Sequence, residues 1–358
     1  MELWICASAS TVLERAKHAD WRKMMRACRF KGFLLETFDV TNHIDLEEVA
    51  KAKRILDGEG YVTAACSVAI GHPEGIDTPR YTFHEGWHIR RDIDNNEVRW
   101  CNAITPRLIQ DMRGHMLELR ELGITRMLWD DDLRQGNYEG GVQGCFCDAC
   151  LVEFAGKYPS VIPEGFSRES LRPVIRRSPE GLSEEQLALR EAWMQFTCER
   201  VTRYLRETSV EGMQNGIMVM HNGDRRHGVD IAEIRRELPD CLFRVGELMF
   251  DDASFDPPQN KRALVEGVLR HMALMGDPAR IFSETTVFPH GALTPENLRL
   301  KILLERKCGL ENINFMGMER MNSPAYYEMI RDNYDRFEET EKELTPDNLD
   351  AFDFASMK

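Results

Sequence analysis

No stretch of the 358 residues comes near the roughly 20 consecutive apolar residues that a bilayer-spanning helix needs. Basic residues are in deficit: 46 Lys and Arg stand against 60 Asp and Glu, a net charge of −14. That balance argues against nucleic acid or an anionic membrane as the main partner and suits a neutral or cationic ligand. The first apolar run leads into Cys6-Ala7-Ser8-Ala9-Ser10, which has none of the glycines of a dinucleotide-binding turn. Residues 3–7 are too short an apolar run, with no basic flank, for a secretory signal, so the cytoplasm is the expected location. Internal repeats and low-complexity tracts are also missing. In such a chain the ten cysteines read as thiols or metal ligands, not as a disulfide framework.

What is present is an ordinary globular composition, 42% apolar and 30% charged, at a length that fits two common domains or one large α/β barrel with an insertion. Eight short apolar or β-branched runs occur at 3–8, 32–37, 61–70, 125–130, 217–221, 242–247, 280–285 and 312–318. Helical spacing fills the gaps between them. Thr105 caps a helix with Pro106 at its first position, a stripe from Leu108 to Leu119, and Gly123 as a left-handed stop. Asp45 with Glu48, Asp230, Thr294-Pro295-Glu296 and Ser323-Pro324 open others, and Gly58 is expected to close the helix that Asp45 opens. Strict alternation predicts a parallel sheet covered by helices, and eight strands are the number of a closed (β/α)8 (TIM) barrel. A doubly wound open sheet is the alternative. The expected layout is one barrel over 1–345, with a cysteine-rich insertion at 131–215 lying over the mouth and a frayed acidic tail at 346–358.

Cys145-Phe146-Cys147-Asp148-Ala149-Cys150 places three soft ligands within six residues. A tetrahedral zinc ion needs four, and Cys101, just ahead of the helix into strand four, is the natural fourth. Four thiolates with no open position describe a structural Zn²⁺ site. A set of buried or redox-active thiols is the plainer alternative. The other six cysteines read as core.

Glu97-Val98-Arg99-Trp100-Cys101-Asn102, Leu128-Trp129-Asp130-Asp131-Asp132 and Gly144 through Cys150 with Phe154 together resemble the family 42 glycoside hydrolases. These are β-galactosidases of the large (β/α)8 glycosidase clan. The resemblance covers residues 97–155 in spacing and order, and elsewhere rests on the barrel layout. It implies a zinc held by a cysteine ahead of the fourth strand and a Cys-X-Cys-X-X-Cys after it. The family's trimerisation and C-terminal domains have no counterpart in these residues; a homo-oligomer is compatible with the sequence but would lack that device.

Barrel enzymes work at the C-terminal ends of their strands. The polar residues expected there are Glu36 and Thr37, Ser67 and His72, Asp130 to Asp132, His221 and Asn222, Glu247, Glu284 and Glu319. Carboxylates packed close together raise one another's pKa, so that one stays protonated as an acid. Retaining glycosidases set two of them about 5–5.5 Å apart, as nucleophile and acid/base. The resemblance puts the nucleophile on Glu284 and the acid/base on Asp132, with Asp131 where the clan has an asparagine. An aspartate is one methylene shorter than the glutamate of the clan. The gap would then widen toward an inverting geometry, or activity would be lost, and Asp131 is an equal candidate for the acid. Glu36, Trp129, Asp131, His221, Asn222 and Glu247 are the expected carbohydrate contacts. Against these stand plainer roles: a solvated capping turn for 130–132, a turn for His221 and Asn222, packing for Trp87 and Trp129. The expected function is hydrolysis of a small glycoside. A divalent-metal isomerase or lyase using Asp132, His221, Glu247 and Glu284, or a non-catalytic carbohydrate-binding barrel, are the rivals.

Overall fold

The computed structural model describes residues 1–39, 44–71, 86–130, 133, 135, 141–219 and 225–357. The chain starts with β1 (Glu2–Ala7), α1 (Ala9–Arg15), α2 (Ala19–Ala27), β2 (Gly32–Asp39), α3 (Leu46–Gly58) and β3 (Val62–Val68). A hairpin, β4 (Ile89–Arg91) and β5 (Glu97–Asn102), precedes α4 (Pro106–Glu121) and β6 (Met127–Trp129). Then come α5 (Asp148–Lys157), α6 (Arg168–Arg176), α7 (Glu184–Thr208), β7 (Gly216–Met218), α8 (Ile231–Glu237) and β8 (Leu242–Arg244). The last part runs α9 (Asp252–Phe255), α10 (Pro258–Met275), β9 (Ile281–Phe282), β10 (Thr285–Thr286), α11 (Pro295–Cys308), β11 (Asn312–Met316) and α12 (Pro324–Glu339).

Eight parallel strands close into a (β/α)8 barrel, β9 and β10 forming one strand interrupted at Ser283 and Glu284. The order is β1-β2-β3-β6-β7-β8-β9/β10-β11, and β11 pairs back onto β1. Because strand side chains alternate, one set fills the barrel: Trp4, Leu34, Ala64, Leu128, Leu242 and Phe282 pack together there. The other set meets the helices in a larger cluster that includes Ile5, Phe33, Met127, Ile217 and Ile313. Glycine decides two positions inside. A Cβ on Gly32 would stand 2.3 Å from the Val62 carbonyl and 2.5 Å from the Trp4 ring. One on Gly216 would stand 2.6 Å from Leu242. Both leave the room that larger neighbours occupy.

Helix ends follow the sequence signals. Thr105 accepts from the Leu108 N–H, Asp230 from Glu233, and Thr294 from Asn297. Gly123 and Gly309 are left-handed, at φ +81° and +97°. After α3, however, the left-handed residue is Gly60, not Gly58, and the Asp45 carboxylate is bonded to the Glu47 N–H instead of forming a reciprocal box with Glu48.

The segment expected as an insertion divides in two. The C-terminal half of α7 is a barrel helix, with Val201, Tyr204 and Leu205 in the main core. Residues 141–196 form a satellite core around Phe146, Phe154 and Trp193, in which the Phe146 and Trp193 rings stack at 4.6 Å. The β4–β5 hairpin, which is not among the eight predicted strands, joins that satellite through Ile93 and Ala103. Residues 346–357, expected to fray, are packed down. Leu349 and Phe354 are buried, and the buried Lys261 ammonium donates to the Met357 carbonyl. Apolar side chains spaced along an acidic stretch are enough to dock it.

Candidate active site and thiol cluster

At the C-terminal mouth lies a cavity of about 420 Å³, walled by the first, second, third, fourth and eighth barrel strands. Its floor carries the thiols of Cys6 and Cys66 with Met316; its walls carry Glu36, Asp39, Asp130, Glu319, His290 and Arg320. Glu36 faces the cavity's solvent but is otherwise surrounded by protein. Loss of hydration, then the charges of Glu319 and Asp39, push its carboxyl up to about 7, with Arg320 opposing. Glu319 is fixed by the N–H and hydroxyl of Ser8, at 3.3 and 3.2 Å.

A raised carboxyl is one the folded state prefers protonated. As pH climbs from about 4.5 to 7 the folded protein holds the extra proton, so Glu36 subtracts stability across that window and the full loss persists above it. Glu36→Gln is therefore expected to raise the melting temperature at pH 8 by about 1–2 °C, reduced by the solvent contact of the group, with the gain vanishing near pH 4.5. A gain of equal size at both pH values would show that the titration of Glu36 is not its source.

Across the mouth, the sixth and seventh strands carry Glu247 and Glu284, neither of them among the residues lining that cavity. Glu284, 7% exposed, stands at the break between β9 and β10. Its carboxylate accepts the Glu247 N–H at 2.6 Å and pairs with the Arg244 guanidinium at 3.3 Å. In return the Glu247 carboxylate accepts the Glu284 N–H at 3.2 Å and pairs with the Lys301 ammonium at 3.3 Å. Behind them, burial and then the charge of Glu247 push the Glu305 carboxyl well above the carboxylate range, and it accepts the Thr285 hydroxyl at 2.7 Å. Two anions are matched by two cations, which is what buried charge requires.

Trp129 is fully buried on the helix-facing side of its strand, donating to Asn215 at 2.7 Å and meeting Tyr204 edge-on, so it does not reach the mouth. Strand alternation explains this: its neighbours Leu128 and Asp130 point inward. Asp131, Asp132, His221, Asn222 and His72 lie outside the described residues. Sequence reasoning overlooked Arg244 and Lys301, although a lone cation inside an apolar strand or on an apolar helix stripe was the available signal.

Cys145, Cys147 and Cys150 bring their sulfurs within 4.8 Å of one another, and they are the group among the described residues able to hold a metal ion. The Cys147 and Cys150 sulfurs are 3.4 Å apart, close to the roughly 3.8 Å edge that metal–sulfur bonds of about 2.3 Å give a tetrahedron. Hydrogen bonds from Cys145 and Cys150 pull the Cys147 thiol far down, while both neighbours are pushed up. The donor set thus fits three corners of a metal site. Cys101 is buried on β5 but is not one of that close group, its sulfur lying toward the Asn102 carbonyl at 3.7 Å. Arg200, buried, bonds the Ile104 carbonyl and adds positive charge beside Cys147 and Cys150.

Fold and site define a (β/α)8 barrel with an acid-lined C-terminal mouth. Compared by sequence, the chain matches no family model and no curated protein. By structure it is similar to the β-galactosidase of the psychrophilic Marinomonas ef1, with TM-score 0.62 and 11% identity over 94% of this chain. It is likewise similar to the catalytic domain of a β-amylase from Paenibacillus polymyxa, with TM-score 0.60 and 10% identity over 92% of this chain and 97% of that one. The chain spans 60% of the length of the Marinomonas enzyme. At such identities the likeness is one of fold. Among the described residues, no helix is long and apolar enough to cross a membrane.

Proposed function

We propose that the protein is a glycoside hydrolase acting on a small glycoside or oligosaccharide, with Glu284 as the attacking carboxylate and Asp132, or its neighbour Asp131, as the acid. One observation carries this reading: a buried carboxylate, held by Arg244 and a backbone N–H at the end of the seventh strand, across the mouth from an acid-lined cavity. In the retaining course Glu284 bonds to the anomeric carbon as the protonated aspartate gives its proton to the leaving oxygen; the ionised aspartate then takes a proton from water, whose oxygen bonds to the anomeric carbon and releases the Glu284 carboxylate. Glu36, with its carboxyl near 7, donates to a sugar hydroxyl when protonated and accepts when ionised.

The barrel likeness to a β-galactosidase, with the resemblance over residues 97–155, makes β-galactosides the first substrates to test. Glu284→Gln is expected to reduce turnover of an activated aryl β-galactoside, per folded molecule, by at least about 1,000-fold, and to lower stability because the buried Arg244 loses its anion. Wild-type rates in that variant would dismiss Glu284 as nucleophile. The isomerase reading is not favoured: Glu247 and Glu284 are engaged by Lys301 and Arg244 instead of converging on an open oxygen-lined position.

The three clustered thiols support a structural zinc ion, with Cys101 completing the tetrahedron in the loaded protein. Zinc there would tie the β4–β5 hairpin to the satellite core and supply no reacting atom. Metal analysis is expected to find about one zinc per chain, lost in Cys147→Ser together with protease resistance of residues 141–196. A metal-free preparation with the same resistance would remove zinc from the account.

A further inference from the structure

We infer that Lys301, on α11, is a positioning residue for Glu284; this rests on the reading of Glu284 as nucleophile. Lys301 is fully buried, and a lysine in such a place must spend its three N–H groups on partners. Its ammonium reaches the Glu284 carbonyl at 3.2 Å, the Leu248 carbonyl at 3.1 Å and the Glu247 carboxylate at 3.3 Å. All three belong to the segments that carry the Glu247–Glu284 clamp.

Glu284 is thereby held at both backbone groups, its N–H by the Glu247 carboxylate and its carbonyl by Lys301. The strand is interrupted there, β9 ending at Phe282 and β10 starting at Thr285. On the sixth-strand side the loop takes a left-handed turn at Met249, φ +64°, a conformation that strains a side-chain-bearing residue. It is pinned before that turn by Lys301 on the Leu248 carbonyl and after it by the Phe288 N–H on the Phe250 carbonyl, at 2.9 Å. Lys301 thus bonds both strand ends from behind, where substrate does not reach. Its effect on catalysis would be geometric, since a displacement near 1 Å at a reacting group lowers rates by about 100-fold.

Lys301→Met alone leaves the Glu247 carboxylate buried without its cation and will destabilise the fold, so the informative protein is the double variant Glu247→Gln/Lys301→Met. It removes both charges, and the amide introduced on the sixth strand retains an oxygen for the Glu284 N–H. Its melting temperature is expected to return to within a few degrees of wild type. Its kcat on an aryl β-galactoside should stay about 100-fold down with KM little changed, and its crystal structure should show Glu284 moved off Arg244. Recovery of kcat along with stability would reduce Lys301 to a structural role, and an unmoved Glu284 would overturn the inference whatever the activity. Should wild type and every variant hydrolyse no glycoside, the nucleophile reading fails, while the crystallographic comparison still decides whether Lys301 places Glu284.

Discussion

Arg244→Met is expected to destabilise the protein by about 3–5 kcal/mol, the usual consequence of stranding a buried charge. Arg244 is 1% exposed and sits inside the barrel, where Phe243 and Val245 on either side of it face the helices. Its guanidinium lies 3.3 Å from the Glu284 carboxylate, which is itself almost out of contact with water. Methionine fills similar space but leaves the carboxylate with the Glu247 N–H as its described donor. Urea unfolding at pH 7 is the measurement. The double variant Arg244→Met/Glu284→Gln is expected to regain a large part of the loss, because a neutral amide needs no counter-charge. A loss below about 1 kcal/mol in the single variant would mean that the ion pair contributes nothing net, and equal losses in single and double variants would place the cost in packing alone.

Gly32→Ala is the second large effect, at about 3 kcal/mol or more. The added methyl would stand 2.3 Å from the Val62 carbonyl oxygen, a backbone atom pinned in the sheet, and 2.5 Å from the Trp4 ring. Neither neighbour gives way cheaply: Val62 is paired with Gly32 in the β2–β3 ladder, and Trp4 is fully buried against Phe282 at 5.6 Å. Gly58→Ala makes the contrast, since its Cβ meets nothing within 4 Å; in a helix that change is neutral or favourable by up to about 1 kcal/mol. Thermal unfolding of the pair checks the claim, and a Gly32→Ala protein as stable as wild type would show that the barrel floor is loosely filled.

Much of the fold was legible because local chemistry and tertiary demand coincide. The Thr105-Pro106 start, the Asp230 cap and the Gly309 stop depend on hydrogen bonds within a few residues of each other, so the chain order alone exposes them. The eight strands were visible for the same reason: strands buried on both faces read as short apolar runs. The three-thiol group was legible because its members lie within a few residues of one another along the chain. Trp129 was not, because helix-facing and barrel-facing positions on a strand buried on both sides are equally apolar, and only the register tells them apart. Gly60 displaced Gly58 as the left-handed residue because either glycine can take that conformation and the actual helix length chooses.

Composition and spacing alone therefore determined the alternating strands and helices, the barrel number, the clustered cysteines and the acids at the strand ends. Tertiary structure decided which acids face the cavity and which face a cation. Glu36 and Asp130 open onto solvent in the mouth, while Glu247 and Glu284 are locked to each other, to Arg244 and to Lys301. The reason is physical. A carboxylate's role depends on the charges and water around it, and those are supplied here by residues from other strands and helices, as Lys301 and Glu305 on α11 are for Glu247 on the sixth strand.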